Sequence, residues 1–119
     1  MRSLLLALPL APLVLAAAAS AQVATPTWNA DIGSLFAANC TACHSGPIGS
    51  AGLSLESYAR AIAGSRNGPV VIAGNPDDSL LMKRIRGQIP PRMPRDAPAL
   101  SIDQIRLVGA WITAGMPER

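Results

Sequence analysis

Histidine occurs once in the 119 residues, at position 44, and cysteine twice, at positions 40 and 43. A structural zinc site needs four ligands, usually Cys and His, so zinc fails on the count. Aromatic side chains are almost as scarce: Trp28, Phe36, Tyr58 and Trp111 are all there are to fill an interior. A core this poor in large rings would be completed by a bulky bound group. The ten basic and seven acidic side chains give a formal charge of +3. The arginines are scattered and lack interleaved aromatics, which argues against a nucleic-acid partner. No internal repeat is evident.

One long apolar run is present, and it lies at the start. Met1-Arg2 precedes "LLLALPLAPLVLAAAA" (4–19), and Ala19-Ser20-Ala21 matches a small-x-small cleavage site. These features predict a secretory signal peptide over residues 1–21, cleaved before Gln22. The run is about 16 residues long, carries two prolines and lacks a basic stop-transfer cluster, so a membrane anchor is disfavoured. No cysteine follows the cleavage point, which disfavours a lipid anchor. Residues 22–119 then suit one small exported domain, without an integral membrane segment and with little core to spare. Losing Arg2 leaves nine basic against seven acidic side chains.

"QVATPTWN" reads as a flexible lead-in over 22–30, with the folded domain over 31–119. A first helix is predicted from an Asp31 N-cap through "IGSLFAANCTACH", with Ile32, Leu35 and Phe36 on one side. Gly33 costs about 1 kcal/mol there relative to alanine, which suggests a close helix crossing. "SLESYARAIAG" predicts a short helix ending at Gly64, and Val70–Ile72 an extended stretch. In "NPDDSLLMKRIRG", Asn75 is the expected cap, Pro76 the first helical residue, and Leu80, Leu81 and Ile85 the inward face. Four prolines between Pro90 and Ala99 exclude a helix. The last helix opens with a Ser101/Gln104 capping box and ends at Gly115, burying Ile105, Val108, Trp111 and Ile112. The expected class is all-α, with about four short helices.

All three scarce ligands fall within Cys40-Thr41-Ala42-Cys43-His44, the spacing of covalent c-type haem attachment. Two thiols one helical turn apart can each add to a haem vinyl group, and the adjoining imidazole can bind iron. A thioredoxin-type redox pair would need a strand-helix framework, which the pattern lacks. A plain disulfide suits an exported protein but leaves His44 a coincidence. One covalently attached haem, bound through Cys40, Cys43 and His44, is therefore expected.

A sole histidine excludes a bis-histidine iron within one chain. The remaining sixth ligands are a methionine, the Lys83 amine, or an open or water-bound position. Met93 is favoured because prolines 90, 91 and 94 stiffen its loop and reduce the entropy lost on closing it. Met82, among packed leucines, is the second choice.

With these residues, the chain resembles a small class I c-type cytochrome domain over about residues 31–116. "GSLFAANCTACH" resembles the family's N-terminal helix and haem motif, "RMP" its methionine-ligand loop, and "LSIDQIRLVGAWITAG" its C-terminal helix. The resemblance implies His44 and Met93 as axial ligands, and a crossing of the first and last helices at Gly33, Phe36, Val108 and Trp111. It also implies that helices pack around the haem. Pro47 follows the histidine sooner than in better-known members, so the carbonyl that orients His44 is not supplied by analogy. Two protein ligands leave iron only a change of oxidation state, which makes the protein a one-electron carrier between redox partner proteins, alone or as a subunit of a larger complex. Arg60, Arg66, Arg92 and Arg95 are the candidates to meet propionates or partner carboxylates. A haem enzyme or small-ligand sensor with a displaceable sixth position is the alternative.

Overall fold

The structure, a computed structural model, describes residues 8–20 and 22–119. The basic start of the expected signal peptide and Ala21 at its cleavage site lie outside the described residues. Residues 8–20 are exposed and carry no regular secondary structure. The folded part is helical, and no strand is present among the described residues. A π-helical turn over Trp28–Ile32 runs straight into α1, Gly33–Asn39. Then come a 3₁₀ turn at Ser50–Gly52, α2 at Tyr58–Ala63, α3 at Leu80–Ile85 and α4 at Ile102–Thr113. An all-α fold of four short helices is what the residue pattern anticipates.

Two helix starts differ from the sequence reading, each because a side chain finds a different hydrogen-bond partner, and Gly33 has a different neighbour from the one expected. The first helical segment starts at Trp28, so residues 28–30 belong to the folded part and the lead-in is shorter than expected. Thr27, not Asp31, caps it: the Thr27 hydroxyl accepts from the Ala30 N–H at 3.2 Å, and the Asp31 carboxylate accepts from the Thr27 N–H at 3.1 Å. α3 starts at Leu80, not after Asn75. Asn75 instead organises a turn, in which the Ser79 hydroxyl donates to the Asn75 carbonyl at 2.8 Å and accepts from the Ile72 N–H at 2.9 Å. Gly33 is needed for Trp28 and not for α4: a Cβ there would lie 3.0 Å from the indole Nε1 and 3.2 Å from the Trp28 carbonyl.

The core forms where α4 meets the π-helical turn and α3. Ile32, Met82, Val108, Trp111 and Ile112 are fully buried, and Phe36 nearly so. The four aromatics make one cluster. Trp28 lies 5.7 Å from Phe36, 6.0 Å from Tyr58 and 6.0 Å from Trp111, and Phe36 meets Trp111 edge-on at 6.3 Å. Edge-to-face contacts of this kind add about 0.5–1.5 kcal/mol beyond area burial. The C-terminal segment satisfies the polar edges of Trp111 and Tyr58 and the backbone of Trp28. The Pro117 carbonyl accepts from both the Trp111 Nε1–H (3.0 Å) and the Trp28 backbone N–H (2.9 Å), and the Tyr58 hydroxyl donates to the Met116 carbonyl at 2.9 Å.

The cluster concentrates stability in few residues. Trp111→Ala should cost about 3–5 kcal/mol in chemical denaturation, whereas Ile102→Ala on the exposed side of α4, where Ile102 is 67% exposed, should change stability by less than about 0.5 kcal/mol.

Candidate functional site

At the C-terminal end of α1 the chain winds one further turn. The Cys40 carbonyl accepts from the His44 N–H at 2.9 Å and the Cys43 N–H at 3.2 Å. The pentapeptide is thus a hydrogen-bonded turn held by its own backbone, and α1 ends at Asn39 and not, as the sequence pattern predicts, at His44. Cys40 is half-buried at the edge of the core, Cys43 is exposed, and both thiols are free. Burial pushes the Cys40 thiol up to about 11. At that value Cys40 is almost wholly a thiol near neutral pH and a poor nucleophile.

His44 is oriented by a backbone carbonyl. Its Nδ1 lies 3.1 Å from the Ser50 carbonyl oxygen. A carbonyl only accepts, so Nδ1 carries the proton and Nε2 keeps a free lone pair, the form of imidazole that ligates a metal. The Ser50 carbonyl is fixed in turn, because the loop from Ser45 to Leu55 is knitted to the haem-type motif. The Ser50 N–H donates to the Cys43 carbonyl at 2.9 Å, the Leu55 N–H to the His44 carbonyl at 2.9 Å, and the Gly46 N–H to the Glu56 carboxylate at 2.8 Å. Gly49 makes the fold-back possible: a Cβ there would sit 2.5 Å from the Leu53 carbonyl oxygen. No resemblance to better-known domains pointed to Ser50, and a glycine in a loop gave no other sign of its role.

Cys40, His44 and Met93 line one cavity of about 300 Å³. Cys43 is not among the lining residues. Phe36 and Leu53 form part of the apolar wall on the α1 side, and Leu80, Leu81 and Ile85 of α3 form the other. Leu80, expected to point into the core, is 38% exposed because it faces this cavity. The volume and apolar lining suit an organic ligand of cofactor size. A thiol, an imidazole nitrogen with a free lone pair and a thioether are the donors that such a cavity offers, and they fit a covalently attached iron porphyrin.

The other candidates separate cleanly. Met82 is fully buried, lies against Gly109 of α4 and does not line the cavity. Met116 is buried beside the aromatic cluster. Of the arginines named from sequence, Arg95 lines the cavity, and Arg84 lines it too. Arg60, Arg66 and Arg92 are not among its lining residues. Arg84 escaped sequence reasoning because a basic residue in the last turn of a helix is already explained by the helix dipole.

Residues 40–96 match the family described as Planctomycete cytochrome C. No curated protein and no solved structure matches the chain. The family match supports a cytochrome c-like domain, and the matched stretch runs from the first cysteine to just beyond Met93. It implies haem c and redox partner proteins. No helix among the described residues is long and apolar enough to cross a membrane.

Gly49 supplies a test of the loop that orients His44. Gly49→Ala should cost about 1–3 kcal/mol by overpacking against the Leu53 carbonyl, while Gly46→Ala, where a Cβ meets nothing within 4 Å but φ is +63°, should cost about 1–2 kcal/mol. Denaturation of the two variants in parallel gives the comparison, and only Gly49→Ala should also lower the yield of pigmented protein.

Proposed function

We propose that the protein is an exported monohaem c-type cytochrome of the class I type, carrying single electrons between redox partners. Haem c would be held by thioether bonds to Cys40 and Cys43, with His44 and Met93 as the axial ligands. The single observation that carries this reading is that Cys40, His44 and Met93, up to 53 positions apart in the chain, line the same apolar cavity. When bound, the haem supplies a reversible one-electron change at iron.

The chain's own residues account for the rest. His44 presents Nε2 because Nδ1 keeps its proton and donates it in a hydrogen bond to the Ser50 carbonyl. The Met93 thioether is a soft ligand that favours the ferrous state and so raises the reduction potential. Phe36, Leu80, Leu81 and Ile85 exclude water from the cavity and lower its dielectric, which also favours the less charged ferrous centre. Arg95 at the cavity would be placed to meet a propionate, while Arg84, which also lines it, donates through its guanidinium to the Pro90 carbonyl. With His44 and Met93 both holding the iron, electron transfer would need no bond to substrate, only a brief contact with a partner protein. Export rests on residues 1–21, whose apolar run and Ala19-Ser20-Ala21 site predict a mature chain beginning at Gln22. The folded cytochrome domain would then follow the short lead-in, with its first helical segment at Trp28.

Met93→Ala should leave the haem attached, abolish the sulfur-to-ferric-iron charge-transfer band, and lower the reduction potential by a substantial fraction of the roughly 0.8 V over which axial ligands set haem potentials. Met82→Ala should keep the band and lose about 2–5 kcal/mol of stability, because Met82 fills core. Visible spectra and potentiometric titration of the two variants check both outcomes, and the opposite pattern would move the ligand to Met82.

A further inference from the structure

The segment that carries Met93 is poor in its own means of attachment. Pro90, Pro91, Pro94 and Pro98 have no N–H, so the loop cannot be tied down by a backbone ladder. Its fixed points come from two adjacent residues of α3: the Lys83 carbonyl accepts from the Gln88 N–H at 2.9 Å and the Ile89 N–H at 3.4 Å, just before the first proline, and Arg84 holds the loop beyond. The Arg84 carbonyl accepts from the Met93 N–H at 3.1 Å, and the Arg84 guanidinium donates through Nη1 to the Pro90 carbonyl. Arg84 therefore grips the loop at two positions, three residues apart, on either side of the Pro91-Arg92 link. Its own place is secure, because Met82 and Ile85 beside it in α3 are buried. The guanidinium also has no competing carboxylate: the ion pairs among the described residues are Arg86 with Asp77 and Arg106 with Asp103. Arg92 differs, since its Nη2 donates at 2.9 Å to Ala97 within the same loop and so does not join the loop to a helix.

We propose that Arg84 is the positioning residue for the Met93 thioether, holding the proline-rich loop against α3 so that the sulfur stays at the cavity wall. This rests on the reading of Met93 as an axial ligand. A guanidinium-to-carbonyl hydrogen bond suits the task because a charged donor makes a stronger bond than a neutral one, and because a proline carbonyl has no lesser need of a donor than any other. Loss of the guanidinium leaves the backbone bonds of Gln88 and Ile89 to Lys83 and of Met93 to Arg84, but frees the Pro90–Arg92 stretch between them. The ligand would still bind at rest, and would be displaced more easily by a competitor.

Imidazole is the probe, titrated into the ferric, haem-loaded protein while the sulfur charge-transfer band is followed. Arg84→Met, which keeps an apolar stem and removes the donors, should retain the band without imidazole and bind imidazole about tenfold more tightly, equivalent to about 1.4 kcal/mol. Arg84→Lys keeps the charge without the planar fork and should bind it at least about threefold more tightly than the unaltered protein. Unchanged affinity in Arg84→Met would overturn the proposal. So would a gain in Arg84→Met with Arg84→Lys identical to the unaltered protein, because charge and not the clamp would then be at work. Should Arg84→Met fail to accumulate, Arg84→Lys alone decides between the threefold gain and no change. Failure of the ligand assignment itself would show separately, as a charge-transfer band that survives Met93→Ala.

Discussion

The bond between the His44 ring and the Ser50 carbonyl is the contact on which the site depends. A carbonyl oxygen accepts and cannot donate, so a single 3.1 Å approach fixes the tautomer, the ring orientation and the free nitrogen together. The remainder of the loop serves to hold that oxygen still. Gly49 leaves no room for a side chain, the Ser50 N–H returns to Cys43, and the Leu55 N–H returns to His44. The imidazole is thereby referred to the backbone of its own motif, and through α1 to the aromatic cluster.

Opposite demands meet across the cavity. The His44 side is built from a helix end and short backbone bonds, whereas the Met93 side is a run of prolines whose stiffness replaces the hydrogen bonds it cannot make. Between them the wall is largely aliphatic, with Phe36 its one aromatic and Ser65, Asn67, Arg84 and Arg95 its polar members, and Leu80 leaves apolar surface open toward the cavity. Apolar surface of that kind gains stability from being covered, roughly 25 cal/mol per Å². A chain with four aromatics gathers them into one cluster, of which only Phe36 reaches the cavity, and leaves the cavity itself for another large ring system to fill.

Much of the architecture could be read from the residues because the signals were local. The Ser101/Gln104 box does cap α4, Gly64 does end α2, and the four prolines do exclude a helix. The misread boundaries involve polar side chains with two plausible partners. Asp31 turns back to Thr27, and Asn75 makes a turn closed by the buried Ser79 hydroxyl. Gly33 was explained by a distant helix when its neighbour is Trp28, five positions earlier in the same chain. At the site, the cysteines and histidine carry a spacing, and Met93 carries a proline-rich setting, so both could be singled out. Ser50, Gly49 and Arg84 act through a backbone carbonyl, an absent Cβ and a hydrogen bond to a proline carbonyl, none of which leaves a pattern in sequence.

The central claim is a covalent one, that the two thiols of the Cys40–His44 turn each join a haem vinyl group. Mass spectrometry of protein produced in the periplasm of a host competent for cytochrome maturation tests it most directly. A polypeptide heavier by one haem, with the added mass retained after acid extraction and mapped to the peptide bearing Cys40 and Cys43, is the expected result. A chain of unmodified mass, with both cysteines still open to alkylation after reduction, would contradict it.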